Sequence, residues 1–496
     1  MNLPESSEYL PLQAYHGCVS SAPAPATRVT IQSSSSFRYG PAPISKDDEL
    51  GILRVVGRNN IPIVPLADIQ LASTNWQTDA QTRSGLAMHV HRGTWGGQSV
   101  ALKRVRKHMF NEGGTHSQEN AMRHSRAILD LGFELQIMSK PSLRRHRNII
   151  TLLAITFDLA WTSDADPTGE LTLPILVVEH ADTRFPDLGL FFNPQHNPTL
   201  PTRLSFEVSA SLIADIADGI VALHGHDLVH ADLKPTNILI FPDNSIPCGL
   251  IAKVADFGLS GMTTYRSDGL RVPGRDPPRG GTTEWNAPEC AGEVRPPVFV
   301  KGIYQEQPHE LPSRDVYSFG LLASYIALDG QTPGSYVQDL AQVKKSDGII
   351  DAVRARLEIH HREDMDDSGS IGSLVSTIVN MTLSLDHEKR TKHLDNIRQL
   401  LFGSNPYEHE HPTPTKFVLN FNLIPNSLHE FKREGLYRAY WQSPPGFREH
   451  VRKCFLNFSS GLPQYVSPDI MRCLEEPDIN DVVVERIRDS NSDSLD

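Results

Sequence analysis

Apolar and polar positions alternate densely between residues 76 and 403 and thin out on both sides. Ser99–Val105 reads as a strand holding a single lysine, and Glu119–Met138 has the spacing of a helix. Ile175–Val178 is a short apolar run between Pro174 and Glu179, the pattern of a buried strand. Within Ser211–Leu223, Leu212, Ile216, Ile220 and Leu223 recur at intervals of four, four and three, tracing one helical face. Asn237–Phe241 and Leu250–Val254 read as two short strands joined by a Pro/Asp/Asn turn. Beyond residue 313 the pattern is mostly helical. Strands first and helices later predict an α+β chain of two lobes of different class.

The flanks read differently. Residues 1 to about 75 are expected to form a disordered Ser/Pro-rich tail, with the run Ser33–Ser36 and an Ala-Pro alternation at Ala22–Pro25. Such a segment buries too little apolar surface to offset its ordering entropy. A short apolar patch, Ile61–Leu66, interrupts it and is able to dock on a neighbour. Residues 404–474 hold aromatics in Phe417–Phe421, Leu428–Tyr440 and Phe447–Leu456, enough for a small packed extension. Residues 475–496 contain eight acids and two arginines and are expected to be a solvated acidic tail.

Composition narrows the function classes. The 496 residues carry 47 Lys and Arg against 59 Asp and Glu, a net charge of −12. A general nucleic-acid binder would be basic, so that class is set aside. The last 22 residues supply six of the twelve charges, so the balance says little about any phosphate site elsewhere. The five cysteines are scattered without a CxxC pair, which suits neither a zinc site nor a disulfide framework. An intracellular, reducing compartment is expected. The start lacks a basic and apolar leader, and no run approaches 18 apolar residues, so no membrane span is expected.

One loop carries the chemistry. His230-Ala231-Asp232-Leu233-Lys234-Pro235-Thr236-Asn237 lies between a helix and a strand. It offers a carboxylate, a cation two residues on and an amide five residues on. Phosphoryl transfer needs a carboxylate to aim a hydroxyl, a cation on the moving phosphoryl and an oxygen donor for Mg²⁺. Nineteen residues after Asn237 comes Asp256-Phe257-Gly258, directly after a strand, where Asp256 can bind hard Mg²⁺ through oxygen.

These residues resemble those of eukaryotic-type protein kinases. The resemblance covers roughly residues 76–403 and implies a bilobal fold, a small β-rich lobe to about residue 180 and a larger helical lobe from about 181. By that resemblance Asp232 matches the catalytic base, Lys234 a phosphate-contacting lysine, and Asn237 and Asp256 the metal ligands. Val100-Ala101-Leu102-Lys103 matches the strand whose lysine grips ATP phosphates, with Glu134 as its helix partner in place of Glu119 or Asp130. Gly281-Thr282-Thr283-Glu284-Trp285-Asn286-Ala287-Pro288-Glu289 resembles the end of the activation segment. Asp315-Val316-Tyr317-Ser318-Phe319-Gly320 resembles the helix beneath it, and Arg390 the partner of Glu289. Glu179-His180-Ala181 matches the hinge that receives adenine by backbone hydrogen bonds.

The resemblance implies ATP and Mg²⁺ as cofactors and proteins as substrates. Lys234-Pro235 and Thr282 match the serine/threonine branch, and Gly93-Thr94-Trp95-Gly96-Gly97 resembles its tyrosine-kinase-like members. Two departures matter. In the phosphate-covering loop Arg83, Gly85 and Met88 stand where three glycines belong, ending at Val90, so only Gly85 keeps the close backbone approach to phosphate. Ala231 replaces the arginine that reads a phosphate on the activation loop. The degenerate loop leaves a pseudokinase-type scaffold as the alternative; the complete Lys, Asp, Asn and Asp set favours an enzyme. His224, His226 and His230 are expected to be structural rather than a metal cluster, with helix-end placement suiting imidazolium. The proline-rich stretch 290–314 reads as an insertion.

Overall fold

A computed structural model describes residues 48–72, 83–84, 88–105, 130–157, 174–265, 271–273, 281–290, 299–300, 303–304, 310–362, 370–402, 427–455 and 468–475, except 182–183, 202, 393, 434, 446, 450 and 453–454. A six-stranded sheet forms the small lobe. Its strands are β1 (Gln70–Leu71), β2 (Arg83–Ser84), β3 (Met88–Trp95), β4 (Gln98–Val105), β5 (Leu152–Phe157) and β6 (Pro174–Glu179). The order runs β1-β3-β4-β6-β5, with β2 on the side of β3. Gly96 and Gly97, both at positive φ, close the two-residue β3–β4 hairpin, a turn whose twist matches its strands. Helix α2, residues 130–139, accompanies the sheet; the predicted stretch 119–129 lies outside the described residues.

The second lobe is helical. Helix α3 (Phe206–His224) starts at Ser205, whose hydroxyl accepts from Val208 N–H. Leu212, Ile216, Ile220 and Leu223 are all buried, as their spacing requires. Next come β7 (Leu228–Val229), β8 (Ile238–Pro242) and β9 (Leu250–Val254), with β8 and β9 paired antiparallel. Strand β10 (Gly261–Tyr265) folds back on β7. Helices α4 (Glu310–Ala327), α5 (Leu340–Lys344), α6 (Gly348–His360) and α7 (Ile371–Thr382) complete the lobe. Of the proline-rich stretch, Phe299–Val300 and Ile303–Tyr304 pair as a short hairpin. Among the described residues no helix is long and apolar enough to cross a membrane.

The expected tail is shorter than its composition implied. Residues 48–72 belong to the small lobe. Helix α1 (Asp48–Arg58) buries Ile52, Leu53, Val55 and Val56, and Ile61 is buried after it. Val64 N–H donates to Ile155 C=O at 3.0 Å and Ile155 N–H to Pro62 C=O at 2.9 Å, so the Ile61–Leu66 patch docks on β5. The physical reason is tertiary: six apolar positions between 52 and 63 find partners on β5 and on the C-terminal helix Leu436–Gln442, which offset the cost of ordering them. Residues 1–47 lie outside the described set.

The C-terminal extension also packs. Helices α8 (Leu428–Arg433), α9 (Leu436–Gln442) and α10 (Pro468–Glu475) bury Phe431, Tyr440 and Ile470. Tyr440 Oη donates to Leu474 C=O at 2.9 Å and Trp441 Nε1 to Cys473 C=O at 3.1 Å, tying α9 to α10. Helix α9 packs on α1, and Arg438 donates to Asn60. The Phe447 ring lies 5.0 Å from Phe157 on β5. The two flanks therefore form one layer against the small lobe. The proposed acidic tail beyond residue 475 lies outside the described residues.

Candidate active site

The loop after β7 is held from below by one buried carboxylate. Asp315 on α4 accepts from His230 N–H at 2.8 Å and Ala231 N–H at 2.9 Å, and His224 Nε2 lies 2.9 Å away. The His230 ring reaches Ala255 C=O at 3.0 Å, joining the loop to the strand before Asp256. Ala231 and Asp256 both sit at left-handed φ, 66° and 68°. Such backbone costs about 1–2 kcal/mol per non-glycine residue and persists only where surroundings enforce it. His226 turns away to Ser142 at 2.7 Å. The three histidines thus serve separate hydrogen bonds rather than a common centre.

Asp232 is buried and triply held. Lys234 Nζ lies 2.6 Å from its Oδ2, Thr282 Oγ1 donates to its Oδ1 at 2.8 Å, and Asn237 Nδ2 donates to its Oδ2 at 3.1 Å. Lys234 also donates to Thr282 Oγ1 at 2.9 Å, closing a triangle between the loop and the activation-segment end. Asn237 Nδ2 donates to Asp232 C=O at 2.8 Å as well, so its nitrogen is committed and its Oδ1 is the end available to a cation. Ala255 N–H donates to Asn237 C=O at 3.0 Å, which brings Asp256 beside Asn237.

Lys103 bridges the lobes. Its Nζ lies 2.7 Å from Glu134 Oε1 on α2 and 2.8 Å from Asp256 Oδ1. Glu134 is therefore the partner chosen from the helix. Burial pulls the Lys103 ammonium down, but Asp256 and Glu134 more than offset it and hold it charged. The Lys103 charge in turn, against the cost of burial, keeps the Asp256 carboxyl down at about 2. The Asp256 side chain stays half-exposed, an ionised oxygen ligand open to the cleft. Oxygen donors on Asp256 and Asn237 suit a hard cation such as Mg²⁺.

The remaining predicted positions fall around this centre. Val90 on β3 stands opposite Lys103, and buried Ala101 on β4 opposite Val178. Gly85 lies outside the described residues. Glu179 ends β6, and its N–H donates to Thr151 C=O at 3.1 Å. Its carboxylate accepts from Thr151 N–H at 2.7 Å and from Lys253 Nζ at 2.7 and 2.9 Å. The side chain thus clasps the hinge to β9, a role the sequence did not suggest. Buried Ala181 follows two residues on. Arg390 pairs with Glu289 at 2.6 and 2.9 Å, and burial pushes the neighbouring Cys290 thiol up to about 11. Lys344, which no motif marked, donates to the backbone of the loop that carries Thr282.

Comparison with known proteins agrees with this geometry. The family model described as "Protein kinase domain" matches residues 85–402. A probable serine/threonine-protein kinase of Dictyostelium discoideum is 26% identical over 53% of this chain and 12% of its own length. Leucine-rich repeat serine/threonine-protein kinase 1 of Mus musculus is 25% identical over 57% of this chain and 12% of its own length. Cyclin-dependent kinase 4 of Mus musculus is 28% identical over 40% of this chain and 55% of its own length. The chain thus spans less than two thirds of each of these relatives.

Proposed function

The chain belongs to the protein kinase family, and we propose from that premise that it transfers the γ-phosphoryl group of ATP to Ser or Thr hydroxyls of protein substrates. The observation that carries this reading is the Asp232–Lys234–Thr282 triangle, set beside the Lys103–Glu134–Asp256 bridge. The first is an acceptor-side arrangement and the second a donor-side one. A scaffold that merely kept the fold would need neither.

The roles follow from the contacts. Asp232, fixed by Lys234, Thr282 and Asn237, accepts the proton of the attacking hydroxyl and aims its oxygen. Lys234 stands where charge builds on the moving phosphoryl. Lys103, oriented by Glu134, takes the α- and β-phosphates, and the backbone at Glu179 and Ala181 takes the adenine edge. Asp256 and the Oδ1 of Asn237 would hold Mg²⁺, which when bound neutralises phosphate charge. With Ala231 in place of arginine, the loop geometry rests on Asp315 and His230 rather than on a phosphate contact.

The test is a phosphorylation assay on purified protein with Mg-ATP and a mixed protein substrate, read by phosphoamino-acid analysis. Phosphoserine or phosphothreonine should form, and Asp232→Asn should lower the rate by about 10²–10⁴-fold while ATP still binds. ATP binding without transfer by the wild-type chain would overturn the reading in favour of a scaffold.

A further inference from the structure

Lys344 ends α5 and is only 4% exposed. Its Nζ donates to Thr283 C=O at 3.1 Å, Glu284 C=O at 2.6 Å and Asn286 C=O at 2.9 Å. An ammonium has three N–H donors, and all three are spent on one loop. No described carboxylate lies within ion-pair distance of Lys344; the Glu284 carboxylate lends charge support from further off, and the Tyr317 ring lies 5.6 Å from Nζ. A buried ammonium must recover its lost hydration from its partners. Here those partners are the backbone carbonyls of residues 283–286, so the lysine is satisfied only when that loop holds this shape.

The loop is the one that carries Thr282. Thr282 C=O accepts from Trp285 N–H at 2.9 Å and Asn286 N–H at 3.0 Å, making a tight turn, and its hydroxyl contacts Asp232. The same turn has a second tie: Glu284 Oε1 accepts from Gly334 N–H at 3.0 Å. Both anchors come from residues 333–344, beyond α4. Lys344 reaches none of the donor-side residues Lys103, Glu134 and Asp256. Its contacts run to the acceptor side alone.

We propose that Lys344 is a positioning residue that sets the substrate-binding loop Thr282–Asn286 for the protein acceptor, without a role in holding ATP. This rests on the kinase reading of the same site. The lysine acts through the loop backbone and touches no reacting atom. A neutral side chain of similar bulk fills the space but removes the donor from three carbonyls, and the loop must shift to rehydrate them. A shift of about an ångström at a substrate-positioning element is enough to cost on the order of a hundredfold.

The experiment compares wild type, Lys344→Met and Lys344→Gln in peptide phosphorylation, with amide hydrogen exchange read over residues 282–287 and 228–233. The expected result is a peptide KM raised about tenfold or more in Lys344→Met, an unchanged KM for ATP, and faster exchange confined to 282–287. Lys344→Gln, which keeps two donors, should fall between. Wild-type peptide KM and exchange in both variants would overturn the proposal. So would a loss spread evenly over peptide KM, ATP KM and thermal stability in both, which marks a purely structural lysine. Absence of transfer by the wild-type chain would overturn the kinase reading, while the exchange pattern still decides whether Lys344 holds the loop.

Discussion

A β-carbon built on Gly281 would lie 2.6 Å from the carbonyl oxygen of Ala231. The segment that carries Thr282 and the loop that carries Asp232 are thus in close contact one residue before Thr282 and one before Asp232. Gly281 also sits at φ +139°, where L side chains are strained. Gly281→Ala is expected to push the two loops apart, breaking the Thr282–Asp232 hydrogen bond. The peptide kcat/KM should fall at least about tenfold with ATP affinity retained. A variant with wild-type kcat/KM would mean that the loops separate without catalytic consequence.

Lys103 bridges two carboxylates, Glu134 and Asp256, and Glu134 behind it is 2% exposed. Lys103→Met should abolish ATP binding. It should also destabilise the fold by up to about 3–5 kcal/mol, the cost of orphaning a buried charge. Adding Glu134→Leu removes that charge, so the double variant should regain thermal stability while staying inactive. Melting temperatures of the three proteins check this. A double variant less stable than Lys103→Met would show that the pair contributes through packing instead.

Much of this site is written in residue type. A carboxylate, a lysine and an amide are residue types that phosphoryl transfer uses, and their order and spacing, with Asp256 after a strand, match the protein-kinase pattern, so they are visible without structure. Glu134 was visible only as one of three acids on a helix; the 2.7 Å contact to Lys103 selects it. Helix α1 is lost when residues 1–75 are taken by composition as one stretch, although Ile52, Leu53, Val55 and Val56 have helical spacing of their own. Lys344 had no signal at all. Its partners are backbone carbonyls some sixty residues away, and carbonyls are common to every residue type. The Glu179–Lys253 clasp was hidden for a related reason, since Glu179 is read for its backbone and works through its side chain.

Ala231 has a methyl group where the kinase pattern that the sequence resembles often has an arginine that reads a phosphorylated activation loop. The loop backbone is instead held by Asp315 through two N–H donors. Activity is therefore expected to be independent of phosphorylation acting through residue 231. The phosphorylation rate before and after phosphatase treatment measures this, and a large loss after treatment would count against it.

Asp215, on α3, is 5% exposed and accepts from Ala252 N–H at 3.0 Å. Burial lifts its carboxyl from the ordinary 3.8 to about 7, with the Ala252 N–H, Arg147, Arg398 and Asn148 opposing. Between about pH 4 and 7 the folded chain therefore binds a proton at this site that the unfolded chain has lost. Stability from this group is full below pH 4 and declines as pH rises towards 7. Asp215→Asn keeps an oxygen acceptor for Ala252 and cannot titrate. Relative to that variant, the wild type should lose stability on the order of a few kcal/mol between pH 5 and pH 8. Melting curves of both proteins at the two pH values test the sign. Parallel shifts would mean that Arg398, 3.8 Å from Asp215, keeps the carboxylate ionised throughout.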